Sequence, residues 1–507
     1  MKRILAAAIS LSVLAGCTKL DEKLNGQVAE SQVSSGSSSS GNAAALLQAT
    51  YDAMLGPFQD QARLWALQEH SSDECIGPTR AGDWDDNGVW RVLHRHQWDA
   101  THAFAADTYT DLGKVVFAAT DLLRFNPTPQ QAAEARFLRA YANYSILDCW
   151  DQVPYRVNTG DPREIPGIRK GTEAADYILS ELTAIMNDLP TSAANKANKN
   201  AAKVLMMKVY LNKAVYANRQ NPTFAAADMN QVITIANDII ANGGYSLTPN
   251  FFDNFAPTNN VLSTENIWTA ENVGGVKSGN VRSRWFCTLH YNQNPSGWNG
   301  FTTLSDFYDK FDANDTRRGG DYAGVTDVSG LKVGLLVGQQ YNQNGVALTD
   351  RTGAPLSFTR EVKSVETGSN LERTGIRVVK YAPDYTSGDN SNNDYVYFRL
   401  ADVMLMKAEA ILRGGTDPNG QTAVALVNAV RTRAGVAAAT SVTLDNLLDE
   451  RGREFYWEGW RRQDLVRFGK FLGAWQEKDA SDPKYLIYPI PARSLAANPN
   501  MIQNPGY

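Results

Sequence analysis

Cysteine and histidine are scarce in this chain, four and five among 507 residues. The thiols Cys17, Cys75, Cys149 and Cys287 form no CxxC pair, which removes the spacing that zinc ribbons and thioredoxin-like redox sites require. In an exported chain Cys75 and Cys149 could pair, but isolated buried thiols are the expectation. His94 and His96 would share a strand face, with His102 beyond, yet no cysteine or acid stands at ligand spacing, so no metal site is expected. Neither sign of charge dominates. The 49 basic and 54 acidic residues leave a net charge of −5 and no basic footprint for nucleic acid or anionic lipid. After Leu14 no apolar run is long enough for a transmembrane helix. The GxSxG, HExxH and P-loop patterns are missing as well. Asp83, Asp85 and Asp86 are too close in sequence to converge as glycosidase carboxylates do. No catalytic residue and no cofactor are expected.

The start of the chain carries two basic residues, Lys2 and Arg3, then an apolar run from Ile4 to Leu14, then Leu14-Ala15-Gly16-Cys17. A charged start, a short apolar core and small residues before a cut form a secretory signal. The cysteine directly after Leu-Ala-Gly resembles the bacterial lipobox, which makes Cys17 the lipidated first residue of a mature chain. Removing residues 1–16 takes away Lys2 and Arg3 and no acid, so the net charge moves from −5 to −7. Acyl chains, at about 0.8 kcal/mol per buried methylene, would then be the membrane attachment. Residues 17–41 read as a tether, ending in a Ser/Gly stretch from Ser31 to Gly41. Such a segment has a reach of roughly 27 Å.

From residue 42 onward the chain reads as one mostly α domain. Apolar spacing at i, i+3 and i+4 predicts helices at about 43–56, 107–125, 129–150, 172–189, 200–217, 225–242, 397–413, 420–434 and 443–459. Phe137-Leu138-Arg139-Ala140-Tyr141-Ala142, Met206-Met207-Lys208-Val209-Tyr210-Leu211 and Leu405-Met406-Lys407-Ala408-Glu409-Ala410 share one pattern. Each pairs two large apolar residues with a base and a small residue. Helix pairs of this kind suggest a tetratricopeptide-like repeat stack. The stretch 250–394 is different, rich in Gly, Asn, Thr and aromatics, with strand-like pieces at Asn266–Ala270, Ile376–Tyr381 and Tyr395–Phe398. A loop-rich insertion of that length between helical pairs points to function.

Eleven tryptophans and 21 tyrosines exceed what a core requires, so some are expected at a binding surface. One cluster is the loop Arg80 to Trp90, from which Arg80, Asp83, Trp84, Asn87 and Trp90 are the candidate ligand contacts. A second comprises Trp285, Tyr291, Trp298 and Asn299 within the insertion. An exposed indole stacks on the C–H face of a sugar ring while short polar groups bond its hydroxyls. Trp98 is expected to pack. The segment Glu450 to Arg467 alternates Arg and Glu at helical spacing and reads as a fold-locking ion-pair network rather than a site.

These motifs resemble the SusD/RagB family of outer-membrane nutrient-binding lipoproteins of Bacteroidetes. The resemblance is carried by Glu450, Arg451, Arg453, Glu454, Glu458, Gly459, Arg461, Asp464, Leu465 and Arg467. Tyr488-Pro489-Ile490-Pro491, Asn498-Pro499-Asn500 and the closing Gln503 to Tyr507 extend it. Earlier matches are Glu134 to Tyr141 and Arg399 to Ala410. The likeness implies four tetratricopeptide-type units carrying an irregular ligand-binding half, with loops at about 70–106 and 250–394. It implies a cell-surface, lipid-anchored protein that binds glycan and hands it to a SusC-like TonB-dependent transporter, without catalysis. A peptide ligand, as in the RagB branch, and a surface glycoside hydrolase are the alternatives.

Overall fold

The computed structural model describes residues 40–156, 163–191 and 193–507. The signal, Cys17 and the tether up to residue 39 lie outside the described residues. Among the described residues nine longer helices organise the fold: α1 (Ser40–Gln59), α2 (Ala103–Leu122), α3 (Pro129–Trp150), α4 (Gly171–Ile185), α5 (Lys199–Ala217), α6 (Ala226–Asn242), α7 (Leu400–Leu412), α8 (Ala423–Arg433) and α9 (Leu444–Phe455). Each of α2 to α8 packs on its successor or predecessor, α9 packs on α7, and α1 lies across α2 and α3. This is the mostly helical, repeat-built fold read from the sequence.

Local chemistry sets the ends. Pro129 occupies the first turn of α3, and Thr128 and Gln131 bond reciprocally as a capping box, Gln131 N to Thr128 Oγ1 at 3.3 Å and Thr128 N to Gln131 Oε1 at 3.0 Å. From Ala133 onward α3 is buried at nearly every position, polar residues included, because α1, α2, α4 and α5 surround it.

The insertion leaves the helical layer after α6 and returns to it at α7, which packs directly against α6. Its base is closed by the antiparallel strands Asn266–Ala270 and Tyr395–Arg399, and Leu400 N bonds Glu265 O at 3.0 Å as α7 begins. The helix expected over 443–459 stops at Phe455. Beyond it Trp457 and Gly459 turn to positive φ, and their N–H groups donate to the buried carboxylates of Glu74 and Glu69. A continued helix would satisfy those donors internally and leave the two acids bare.

The ion-pair reading of the C-terminal segment holds. Arg451 joins Asp402 and Asp464, Arg467 joins Glu409 and Asp464, and Arg399 joins Glu265, Glu454 and Glu458. Glu454 also accepts from Arg317 and Arg433. Burial alone would raise the Glu454 carboxyl, but Arg433, Arg399 and Arg317 hold it well below the usual carboxylate range. These charges tie α7, α8 and α9 to the base of the insertion.

Candidate ligand-binding surface

The loop after α1 is unusual in its backbone. Thr79–Arg80 pairs in parallel with Val365–Glu366, and reciprocal bonds between Arg80 and Asp83 (2.9 and 3.0 Å) close a tight turn. Ala81, Trp84, Asp86 and Asn87 all have positive φ, from 43 to 61°. For residues with a Cβ this region is sparsely populated, and such strain concentrates at functional sites. The turn delivers the Trp84 indole onto the Cα of Gly300, where any side chain would overlap the ring. Trp84 Nε1 donates to Trp298 O at 2.9 Å, and the two indole centroids stand 6.1 Å apart. Trp298 packs against Phe286 at 4.8 Å and remains 44% exposed.

Two clusters more than 200 positions apart in sequence therefore meet at one surface. Trp84 and Trp298 are its aromatic elements, and Asp83 and Asn87 are exposed on the adjoining turn. Tyr291 is half-buried on the loop that carries Trp298, which Gly297 N closes by bonding His290 O at 3.3 Å.

Residues 264–507 match the SusD family. The match contains both late motifs, Glu450 to Arg467 and Tyr488 to Tyr507. Starch-binding protein SusD of Bacteroides thetaiotaomicron is 27% identical over 486 residues, covering 87% of this chain and 84% of that protein. The C-terminal part of the chain, residues 264–507, carries the SusD family's pattern. A SusD-like protein of Bacteroides ovatus is 24% identical over 438 residues, with 81% and 74% covered. Among solved structures, a SusD superfamily protein from Parabacteroides distasonis superposes with a TM-score of 0.71 at 17% identity, over 92% of this chain and 99% of that one. Surface glycan-binding protein A from Bacteroides thetaiotaomicron, in complex with laminarihexaose, gives 0.67 at 18% identity, with the same coverage. At such identities the superpositions establish the fold.

Four of the predicted contacts are buried and offer no ligand face. Trp90 lies beneath Trp84, with Nε1 donating to Asp86 Oδ2 at 2.7 Å and its ring 4.8 Å from Phe301. Trp285 is enclosed in the short helix Ser283–Phe286. The Arg80 guanidinium bonds Leu371 O and Thr374 O at 2.5 and 2.8 Å and also Thr374 Oγ1. Asn299, 1% exposed, accepts from Arg377 Nη2 at 2.7 Å. These residues support the surface instead of forming it. The error has a physical source, because an aromatic that presents and an aromatic that props alternate with polar residues in the same way.

Trp98 packs as expected, its Nε1 donating to Tyr507 Oη at 2.8 Å. Both ring nitrogens of His94 face backbone oxygens, of Cys75 and Gln476, while His96 meets Ser71 O and Ser481 Oγ. Cys75, Cys149 and Cys287 are free and buried, so the Cys75–Cys149 pairing does not form.

Sequence reasoning missed two contributors. Phe301 is a hub, 4.8 Å from both Trp84 and Trp90, 4.4 Å from His70 and 5.8 Å from Trp65. Its place beside Gly300 was the available signal. Arg351 lays its guanidinium 3.9 Å over the Tyr291 ring and is bonded through Nε to Glu372 Oε1 at 2.5 Å. Nothing near Arg351 in sequence marks it.

Proposed function

We propose that this chain is a cell-surface binding protein for an oligo- or polysaccharide. In this reading lipidated Cys17 anchors it to the outer membrane, facing outward, and it passes glycan to a SusC-like TonB-dependent transporter. The observation that carries the reading is the convergence of Trp84 and Trp298, with Asp83 and Asn87 exposed beside them. Two tilted indoles offer an apolar surface to sugar C–H faces, and carboxylate and amide groups at its edge suit hydroxyls. The names of its relatives support binding rather than catalysis. One is called a starch-binding protein, and one structural neighbour holds laminarihexaose.

Native electrophoresis through gels containing starch, laminarin or polygalacturonate tests the proposal. The wild-type chain should be retarded by a glycan, and Trp298→Ala should lose at least tenfold in affinity, about 1.4 kcal/mol. Its thermal unfolding should stay close to wild type because the indole is nearly half exposed. Trp84→Ala is the less clean variant, since that ring packs on Gly300 and bonds Trp298 O. Undiminished retardation of Trp298→Ala would remove the site. Release of reducing sugar from a retained glycan would return the hydrolase alternative.

A further inference from the structure

Beside the indoles stands a polar construction that the aromatic reading does not use. Arg351 is half exposed, with 52% of its side chain accessible, yet it is fixed at three points. Its guanidinium covers Tyr291 at 3.9 Å, its Nε donates to Glu372 Oε1 at 2.5 Å, and its backbone N donates to Glu372 Oε2 at 3.1 Å. Glu372 is itself held. His290 Nδ1 accepts from Asn292 N at 3.0 Å, which leaves the proton on Nε2, and that group donates to Glu372 Oε2 at 2.9 Å. A side chain with several rotatable bonds is thus held in one orientation before any ligand arrives.

Among the described residues the two Nη groups of Arg351 have no protein partner, and neither has the Asp83 carboxylate. Asp83 is exposed on the turn that its own bonds to Arg80 close, and it lies within electrostatic reach of both Tyr291 and Arg351. The turn bearing Asp83 is bonded through Arg80 to Leu371 O and Thr374 O, on either side of the Glu372 that holds Arg351, so a planar fork of donors and an acceptor-only group border one surface. Tyr291 and Trp298 belong to one closed loop, and Asp83 and Trp84 are neighbours, so donor, acceptor and indoles share a surface.

We propose that Arg351 and Asp83 act as a donor–acceptor pair reading adjacent hydroxyls of an uncharged sugar ring that rests against Trp298. The proposal rests on the glycan-binding reading and names the class of glycan. Adjacent ring hydroxyls each donate and accept, so one accepts from an Arg351 Nη while its neighbour donates to Asp83. The charge balance selects against an acidic sugar. Glu372 and Asp83 together offset the Arg351 charge, and a uronate or sulfate placed there would meet the Asp83 carboxylate.

The test measures affinity by isothermal titration calorimetry for starch, laminarin and polygalacturonate, with wild type and four variants: Trp298→Ala, Arg351→Ala, Arg351→Lys and Asp83→Ala. The expected result is binding of a neutral glucan that changes little between 50 mM and 500 mM NaCl. Arg351→Ala and Asp83→Ala should each weaken it at least tenfold without shifting the melting temperature by more than a few degrees. Arg351→Lys should not restore it, because an ammonium cannot reproduce the planar fork. If Trp298→Ala abolishes binding while Arg351→Ala and Asp83→Ala bind as wild type, the pair is overturned and the indole surface stands. Tighter binding of polygalacturonate that weakens with salt overturns it too. If Trp298→Ala binds as wild type, the glycan-binding reading fails at this surface.

Discussion

Replacing Glu69 by Gln should make this protein more stable at neutral and alkaline pH while leaving its stability below pH 5 almost unchanged. Glu69 and Glu74 are fully buried and face each other. Glu69 Oε1 accepts from Gly459 N at 2.5 Å and Glu74 Oε2 from Trp457 N at 3.2 Å, with Arg461 3.7 Å from Glu74. Burial pushes the Glu69 carboxyl up to about 7, although Glu74, the Gly459 N–H, Lys380 and Arg284 pull the other way. Burial and then the charge of Glu69 drive Glu74 well above its ordinary value. A carboxyl whose folded pKa exceeds its unfolded value contributes its full stability below the unfolded pKa and loses it as pH rises through the folded pKa. From 4.5 to about 7 the loss amounts to about 3 kcal/mol, a large share of a typical folding free energy. Burial lowers the ring pKa values of His70, His94 and His96, so they contribute with the opposite sign, stability that is present above the ordinary histidine value and lost as pH falls, and the wild-type curve alone is ambiguous. The difference between Glu69→Gln and wild type cancels them. Urea unfolding at pH 5, 6, 7 and 8 should show that difference growing by about 3 kcal/mol in favour of the variant. A difference that stays constant across this range would refute the raised Glu69 carboxyl.

Other outcomes follow from the same contacts. Glu454→Ala leaves Arg317, Arg399 and Arg433 facing one another and should cost about 3–5 kcal/mol in urea unfolding, far more than removing an exposed partner such as Asp389 of the Arg282 pair. Gly300→Ala forces the Trp84 indole from its seat and should weaken glycan retardation in affinity electrophoresis, with a change in tryptophan fluorescence. Burial raises the thiols of Cys75, Cys149 and Cys287, Cys149 to about 12, so all three should react with a chromogenic thiol reagent only after unfolding.

The helical scaffold was legible because its signals are local. Thr128-Pro129 marks the start of α3, Gly243 follows the last residue of α6, and apolar spacing supplies the rest. The strand Asn266–Ala270 was found with both ends correct. What the sequence could not convey was which face each aromatic turns outward. Trp84 and Trp90 sit six positions apart in similar surroundings, but only Trp84 rides on a positive-φ turn that lifts it to Gly300. Asn299 looked presented because it flanks Trp298 on a turn, whereas its own positive φ points the amide inward to Arg377. Arg351 was invisible for a different reason, since its importance comes from Glu372 and Tyr291, which meet it only in three dimensions.

Sugar binding at the surface formed by Trp84 and Trp298 is what the proposed function requires. Calorimetric titration of the wild-type chain and Trp298→Ala with the glycan that retards the wild type tests it most directly. The expected result is a measurable heat of binding for wild type, a loss of at least tenfold in affinity for Trp298→Ala, and the same melting temperature within a few degrees. Equal affinity of the two proteins for that glycan would contradict it.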